Sequence, residues 1–262
     1  MMELTSSNYF SLEANREYWS VSQFKAFNEC EACALAQANG EYERELTDSL
    51  LIGSYVDAYF STRDEWEQFQ IENEERMFTK KGDLYAKFQH ANDIINRIEA
   101  DDLMVEFLKA PTRDRQVIQT AQAFGVPWKA KMDVLHDDKI VDLKIVKDFA
   151  PVYKDGFGFR PWIEAWGYDI QGAVYQYIER QNSGRKKPFY IVAATKERVP
   201  DIAVIEIPQH ILDAALEVVK AKIDRFDLIK TGEIKPKRCE KCDYCKATKV
   251  LTEPMIYEIE EA

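Results

Sequence analysis

Pro127–Lys147, PWKAKMDVLHDDKIVDLKIVK, holds two apolar strand-like runs, Trp128 to Leu135 and Ile140 to Val146, separated by His136-Asp137-Asp138. Successive strand side chains alternate faces, so Asp142 and Lys144 share one side while Val141, Leu143 and Ile145 take the other. That pattern is common in an amphipathic edge strand. Asp133, near the end of the first run, is the less common feature. If the runs pair as a hairpin about the His136–Asp138 turn, Asp133 lies about opposite Asp142. Two carboxylates and an ammonium then converge on one patch, a metal site with a lysine beside it. Mg2+ takes hard oxygen ligands and needs only one or two protein carboxylates besides water and substrate phosphate. A neighbouring lysine can orient or deprotonate an attacking water and balance charge developing on phosphate. By itself Asp-x-Lys has little specificity, since an exposed, salt-bridged strand presents the same residues.

Outward from this hairpin, Gln116 to Phe124 reads as a further strand turning at Gly125-Val126-Pro127, so a three-stranded meander is expected. Upstream, Ser20-Val21-Ser22-Gln23 forms a capping box. It opens a helix striped by Phe24, Phe27 and Leu35, with Cys30 and Cys33 one turn apart on it. A second helix is expected from about Leu46 to Phe60, packed through Leu50, Leu51, Tyr55 and Ala58. Gly53 within it marks the close approach of another backbone. Residues 61–82 are acidic and aromatic and show no clear period. A long helix to about Glu99 follows Lys81-Gly82-Asp83, and Asp101 or Asp102 caps a short one ending before Pro111. Downstream, Pro161 opens a helix from about Trp162 to Arg180. Phe189–Thr195 and Ile202–Ile207 read as strands, and a helix follows from His210 to Ile229. The order predicts one α/β unit over 1–262: an N-terminal helical part over about 1–110, a core over about 111–230, and a cysteine segment over 231–262.

The 262 residues are 46% hydrophobic with 10 Gly and 9 Pro, enough to bury a substantial core. No run of 18 apolar residues exists, and the polar, acidic N-terminus has no signal-peptide character. A cytoplasmic protein without a membrane segment is expected. The net charge of −11 argues against a surface coated in nucleic acid, although local patches outweigh the sum. One such patch runs from Lys235 to Lys249, with six Lys or Arg against two acids. It can contact phosphates, or flank a metal site as a solvated tail. Five cysteines, at Cys30, Cys33, Cys239, Cys242 and Cys245, read as metal or cluster ligands in a cytosolic chain. Cys239 to Cys245 supply three thiolates, and the fourth must come from Cys30 or Cys33. A tetrahedral Zn2+ site and a [4Fe–4S] cluster both want four. Either would fasten the cysteine segment to the first helix.

Taken together, these features resemble one family. Ser20-Val21-Ser22-Gln23-Phe24 followed by Cys30 resembles the Ser-x-Ser-x-(Leu/Phe)…Cys opening of RecB- and AddB-type nuclease domains. Gly53-Ser54-Tyr55-Val56-Asp57 resembles their Gly-x-x-x-His motif. Asp133 and Asp142-Leu143-Lys144 resemble the D…(D/E)-x-K centre of the PD-(D/E)XK superfamily, and Gln171-Gly172-Ala173-Val174-Tyr175 its Gln-x-x-x-Tyr motif. Cys239, Cys242 and Cys245 resemble the C-terminal half of the iron–sulfur staple of some members. The resemblance covers nearly the whole chain and is closest to phage- and prophage-encoded RecE-like exonucleases.

That resemblance implies a restriction-endonuclease-like α/β fold, a mixed central sheet flanked by helices, hydrolysing DNA phosphodiesters with Mg2+ or Mn2+. By the same likeness Asp133, Asp142 and the Leu143 carbonyl hold metal, and Lys144 positions the water. Gln171 and Tyr175 meet the substrate strand from one helix face, and Cys30, Cys239, Cys242 and Cys245 hold the cluster. This chain departs from the pattern twice. Asp57 stands where the motif has His, and since a carboxylate suits Mg2+ at least as well, Asp57 is expected as a further ligand. The gap from Cys242 to Cys245 is shorter than in the relatives, which leaves iron–sulfur and zinc both open. The expectation is a metal-dependent DNA exonuclease acting on linear ends in phage-type recombination, with a single-strand annealing protein as partner. The alternatives are a structure-selective endonuclease, a non-catalytic DNA-binding or assembly protein, and a zinc-stapled interaction module. Trp128, Tyr168 and Tyr175 are the candidates for stacking on a frayed strand, with core packing as the other reading.

Overall fold

The computed structural model describes residues 2–109 and 113–254, and its N-terminal part is helical. The helices are α1 (Leu12–Glu17), α2 (Val21–Glu29), α3 (Glu31–Asn39), α4 (Asp48–Phe60), α5 (Arg63–Glu72), α6 (Glu74–Met77), α7 (His90–Glu99) and α8 (Asp102–Lys109). A hydroxyl starts α1, α2, α4 and α5: Ser11, Ser20, Thr47 and Thr62 each accept the amide three residues on. Each thereby satisfies one orphan donor of the first turn. Gln23 does not close the expected capping box, because its side-chain amide donates to the Asn15 carbonyl at 2.7 Å.

Three helices of the N-terminal part differ from expectation. The helix through Cys30 and Cys33 is broken at Cys30, which is extended (φ −159°, ψ 108°), ends α2 and caps α3. The break turns the Cys30 thiol toward Cys245. On α4, Leu51, Tyr55 and Val56 form the packed face, while Leu50 is exposed. The long helix expected before Glu99 is a 3-10 turn, Ala86–Phe88, followed by α7. Residues 61–82, which lack a period, fold largely as α5 and α6. Pro111 and residues 255–262 of the cysteine segment lie outside the described residues.

The strands are β1 (Arg113–Ala123), β2 (Val126–His136), β3 (Ile140–Val146), β4 (Val152–Lys154), β5 (Gly158–Arg160), β6 (Phe189–Thr195) and β7 (Ile202–Glu206). The later helices are α9 (Trp162–Ala165), α10 (Tyr168–Ser183), α11 (Gln209–Lys230) and α12 (Asp243–Ala247). Five strands make one mixed sheet in the order β1-β2-β3-β6-β7, and β4 and β5 form a separate ribbon. The antiparallel meander β1-β2-β3 is as expected, and β6 then joins β3 in parallel after the α9–α10 crossover. β3 is therefore interior, not an edge. Asp142 and Lys144 face α10 instead of solvent. Gly167, at φ 62°, divides α9 from α10, so the helix expected from Trp162 is interrupted.

The sheet is covered on both faces, as a parallel pairing requires. Trp128, Ala130 and Met132 of β2 pack with α2, α10 and α11 in one apolar layer. Val141 and Leu143 of β3 and Val192 of β6 pack with α4, α7 and α8 in the other. No helix among the described residues is long and apolar enough to cross a membrane.

Candidate active site

The β2–β3 ladder runs through Leu135↔Ile140 and Val134↔Val141 and then stops. Continued by one step, that register sets Asp133 opposite Asp142. In place of a backbone bond, Asp133 Oδ2 accepts the Leu143 amide at 2.9 Å. On the other side, β1 pairs with β2 at Arg115↔Val134 and Val117↔Met132 but skips Gln116, which has a left-handed φ of 52°. A non-glycine residue is strained there. Both ladders beside Asp133 are thus interrupted at Asp133 itself, and its carboxylate makes the bridge to β3.

Asp57 comes to this point on α4. A Cβ on Gly53 would lie 3.9 Å from both the Cβ and the carbonyl oxygen of Ile145, an ordinary van der Waals contact, so α4 rests beside β3 at a distance that does not require glycine, contrary to the close approach expected there. Asp57 is one turn further along the same helix face. Lys144 Nζ lies 2.5 Å from Asp142 Oδ2 and 3.3 Å from the Leu143 carbonyl oxygen. Gln171, in the first turn of α10, donates to Asp142 Oδ1 at 2.7 Å. Asp142 is 1% exposed, and its Oδ2 is held by the Lys144 ammonium. Tyr175, one turn beyond Gln171, donates to the Lys131 carbonyl at 3.1 Å, which braces α10 against β2.

Burial pushes the Asp57 carboxyl up to about 6, with Asp142 and Glu65 adding to the rise against Lys144 and Lys131. Burial, then Asp142 and Asp57, hold Asp133 well above the carboxylate range. Burial opposes the charge of Lys144, but Asp142 and Asp133 outweigh it and keep the ammonium protonated above the usual lysine range. Such a lysine orients and neutralises; it is a poor proton acceptor. The donor set is all oxygen, carboxylates beside the Leu143 carbonyl, and it fits a hard divalent cation. The aspartates are not drawn into a tight group, however. Among the described residues, only the cysteine quartet has ligand atoms all within 4.8 Å of one another.

Asp57, Asp133, Gln171 and Tyr175 line a cleft of about 1180 Å3 together with Lys25, Glu65 and Lys131. Those last three escaped the reading of the sequence. Lys131 lies two residues before Asp133 on the same face of β2, so strand alternation could have found it; it pairs with Glu65 at 2.5 Å. Glu65 belongs to the segment with no legible period. Lys25 of α2 lies 5.1 Å over the Tyr168 ring, which also receives Lys144 at 5.3 Å. Burial and then Lys144 bring the Lys25 ammonium down to about 8. Nothing in the local sequence around Lys25 announces this position.

At the far end of α2, the sulfurs of Cys30, Cys239, Cys242 and Cys245 form the quartet, with Cys30–Cys245 at 3.6 Å and Cys239–Cys245 at 3.9 Å. Four thiolates on a tetrahedral ion with bonds of about 2.3 Å stand about 3.8 Å apart. A cubane interposes four irons and four sulfides between its thiolates and needs a wider set. The quartet has the size of a single-ion site. Burial raises the Cys239 thiol, but the Lys241 and Cys242 amides aimed at its sulfur outweigh burial and bring it down to about 6. Cys33 is buried beside the quartet but does not belong to it.

The fold is of the PD-(D/E)XK nuclease type. The chain belongs to the family described as a PDDEXK-like domain of unknown function (DUF3799), whose model matches residues 20–248. It is similar to the solved structure of a "Putative exonuclease" from Eubacterium rectale, with 42% identity over 98% of this chain and 97% of that one, at a TM-score of 0.90. A second structure, SSO0001, is 13% identical over 86% of this chain and 91% of that one, with a TM-score of 0.27, too distant to bear on fold or function. No curated protein matches.

Proposed function

We propose that this protein is a metal-dependent DNA exonuclease with its centre at Asp57, Asp133, Asp142 and Lys144. The carrying observation is the interrupted sheet at Asp133, which sets a carboxylate between β2 and β3 beside the Asp142–Lys144 pair. The similarity to a structure described as a putative exonuclease supports the exonucleolytic mode over the endonucleolytic one. Asp57, Asp133, Asp142 and the Leu143 carbonyl would hold Mg2+ or Mn2+, which acidifies water and neutralises phosphate charge when bound.

The side chains supply the rest. Gln171 fixes one oxygen of Asp142, and Lys144 neutralises the other. Lys144, held protonated, donates to the attacking water and faces the charge growing on the phosphate oxygens. The water gives up a proton to solvent as its oxygen bonds to phosphorus, the bond to the 3′ oxygen breaks, and that oxygen takes a proton from solvent. Lys25 and Lys131 place two more cations at the cleft for the flanking phosphates. The helical part, the α/β core and the cysteine segment act as one unit on this reading, because Asp57 completes the core's centre and Cys30 completes the quartet.

The test is digestion of end-labelled linear DNA and closed circular DNA with and without Mn2+. Linear DNA should be degraded only with the metal, and circles should survive. Asp142→Ala and Lys144→Ala should lower the rate by at least about a hundredfold while the proteins remain folded. A clean Lys144→Ala preparation with undiminished activity sinks the assignment, and cutting of circles replaces exonuclease by endonuclease.

A further inference from the structure

Exposed aromatic rings concentrate on the β4–β5 ribbon and the end of α9. Tyr153, Phe157 and Phe159 are 62%, 71% and 73% exposed, and Trp166 is 45% exposed. Tyr153 and Phe159 are direct cross-strand partners with ring centroids 5.6 Å apart, so they share one face. That face is turned to solvent, since Val152 on the opposite face packs on the apolar layer beneath. Lys154 follows Val152's face and lies 4.4 Å over Trp166, while the Arg160 guanidinium lies 5.9 Å over Phe157. A ribbon of two three-residue strands is barely stable alone, and solvent-facing rings add no burial to it. Fold stability does not account for these residues.

Their place in the chain does suggest a use. The ribbon lies between Lys144 and Gln171, and Trp166 stands two residues before Tyr168, the ring beside both Lys144 and Lys25. At the ribbon tip, Asp155 pairs with Lys241 of the cysteine segment. That segment is the basic run of an otherwise acidic chain, and its Lys235 and Lys249 are exposed without an ion pair among the described residues. Rings, cations beside them and a place in the chain between two residues of a phosphodiester centre suit one occupant: a polyanion whose monomers carry flat faces. A lipid surface or an apolar peptide would engage the rings and have no use for that place in the chain.

We propose that the β4–β5 ribbon with Trp166 is a stacking platform for an unpaired DNA strand at the Asp142–Lys144 centre. This rests on the nuclease reading above. It also moves the stacking role away from residues that the sequence offered for it. Trp128 is fully buried, with its indole donating to the Ala123 carbonyl at 3.2 Å, and Tyr175 is 8% exposed.

Binding is measured by fluorescence anisotropy on the full chain, without divalent metal, using a labelled oligothymidylate of about twenty nucleotides, longer than one platform occupies. The double variant Tyr153→Ala/Phe159→Ala should bind at least about tenfold more weakly, and Tyr153→Trp/Phe159→Trp should restore binding. Unchanged melting temperatures establish that the variants are folded. Hydrolysis of a thymidine p-nitrophenyl phosphate diester with Mn2+, too short to reach the ribbon, should be equal in all three proteins. Equal oligonucleotide affinity in wild type and double variant overturns the platform. So does a ribbon-dependent affinity for anionic phospholipid vesicles with oligonucleotide binding unaffected. A wild-type protein that hydrolyses neither diester nor DNA sinks the nuclease reading instead, and the binding comparison still decides the platform.

Discussion

Asp57→Asn should stabilise the metal-free protein, and the size of the gain follows from the site. The Asp57 carboxyl is raised from 3.8 to about 6 by burial and by the like charges of Asp142 and Glu65. Between those values the native protein binds a proton that the unfolded chain does not. Stability therefore falls as pH rises from about 4 to about 6 and stays low above that. A rise of two units corresponds to roughly 3 kcal/mol. Asp57 is only partly enclosed, so solvent screening leaves about 2 kcal/mol. Asparagine keeps the shape and cannot ionise. At neutral pH with EDTA the variant should melt about 4–8 °C above wild type, and the two should converge near pH 4. Adding Mn2+ should reverse the order, because a ligand stabilises most the protein that binds it best. The assay is thermal unfolding of both proteins across this pH range, with EDTA and then with Mn2+. Equal melting temperatures at neutral pH, or a difference that ignores pH, would refute the claim that Asp57 is a carboxylate held against its own charge.

Two further expectations concern packing and the quartet. A Cβ on Gly172 would fall 2.4 Å from a Phe189 ring carbon and 2.9 Å from Leu212 Cδ2, both in the core. Overpacking of about 1–3 kcal/mol exceeds the roughly 1 kcal/mol that alanine gains over glycine in a helix, so Gly172→Ala should lower the urea midpoint. An unchanged or higher midpoint would contradict the contact between α10 and β6. Protein purified anaerobically should be colourless with one zinc per chain, and Cys30→Ser should carry well under one. A brown preparation with four irons per chain would rule out the single-ion reading.

The meander, the Asp133–Asp142 opposition and the helix carrying Gln171 and Tyr175 were legible because each is written locally, in alternation, turn residues and capping. What escaped is set by partners distant in the chain. Whether β3 is an edge depends on β6 arriving alongside it after α10, and no pattern within Ile140–Val146 carries that information. The α2 period runs unbroken through Cys30, yet the helix stops there because the thiol is needed near Cys245. Glu65 enters the cleft from a segment whose pattern has no period, and Lys25 enters from the polar side of a helix start. The ribbon at 152–160 leaves no legible period in the sequence because its two strands are only three residues each.

The features that work against stability gather around one point. Gln116 is strained opposite Asp133, two ladders lose their hydrogen bonds beside it, and Asp57 and Asp133 resist ionisation. Asp142 and Lys144 are taken largely out of water as an ion pair, which at best roughly offsets its own desolvation. None of this helps the sheet, whose two apolar layers would close more easily over valine or leucine at the same positions. Local rules are broken together where a fold serves chemistry, and the clustering of these linked violations within reach of Asp133 argues for selection on function there. The same reasoning applies at the ribbon. Rings turned to water at Tyr153, Phe157 and Phe159 are a further violation, displaced along the chain from the others. On the proposed reading, one substrate strand spanning both places would give the exposed rings and the buried charges a common use.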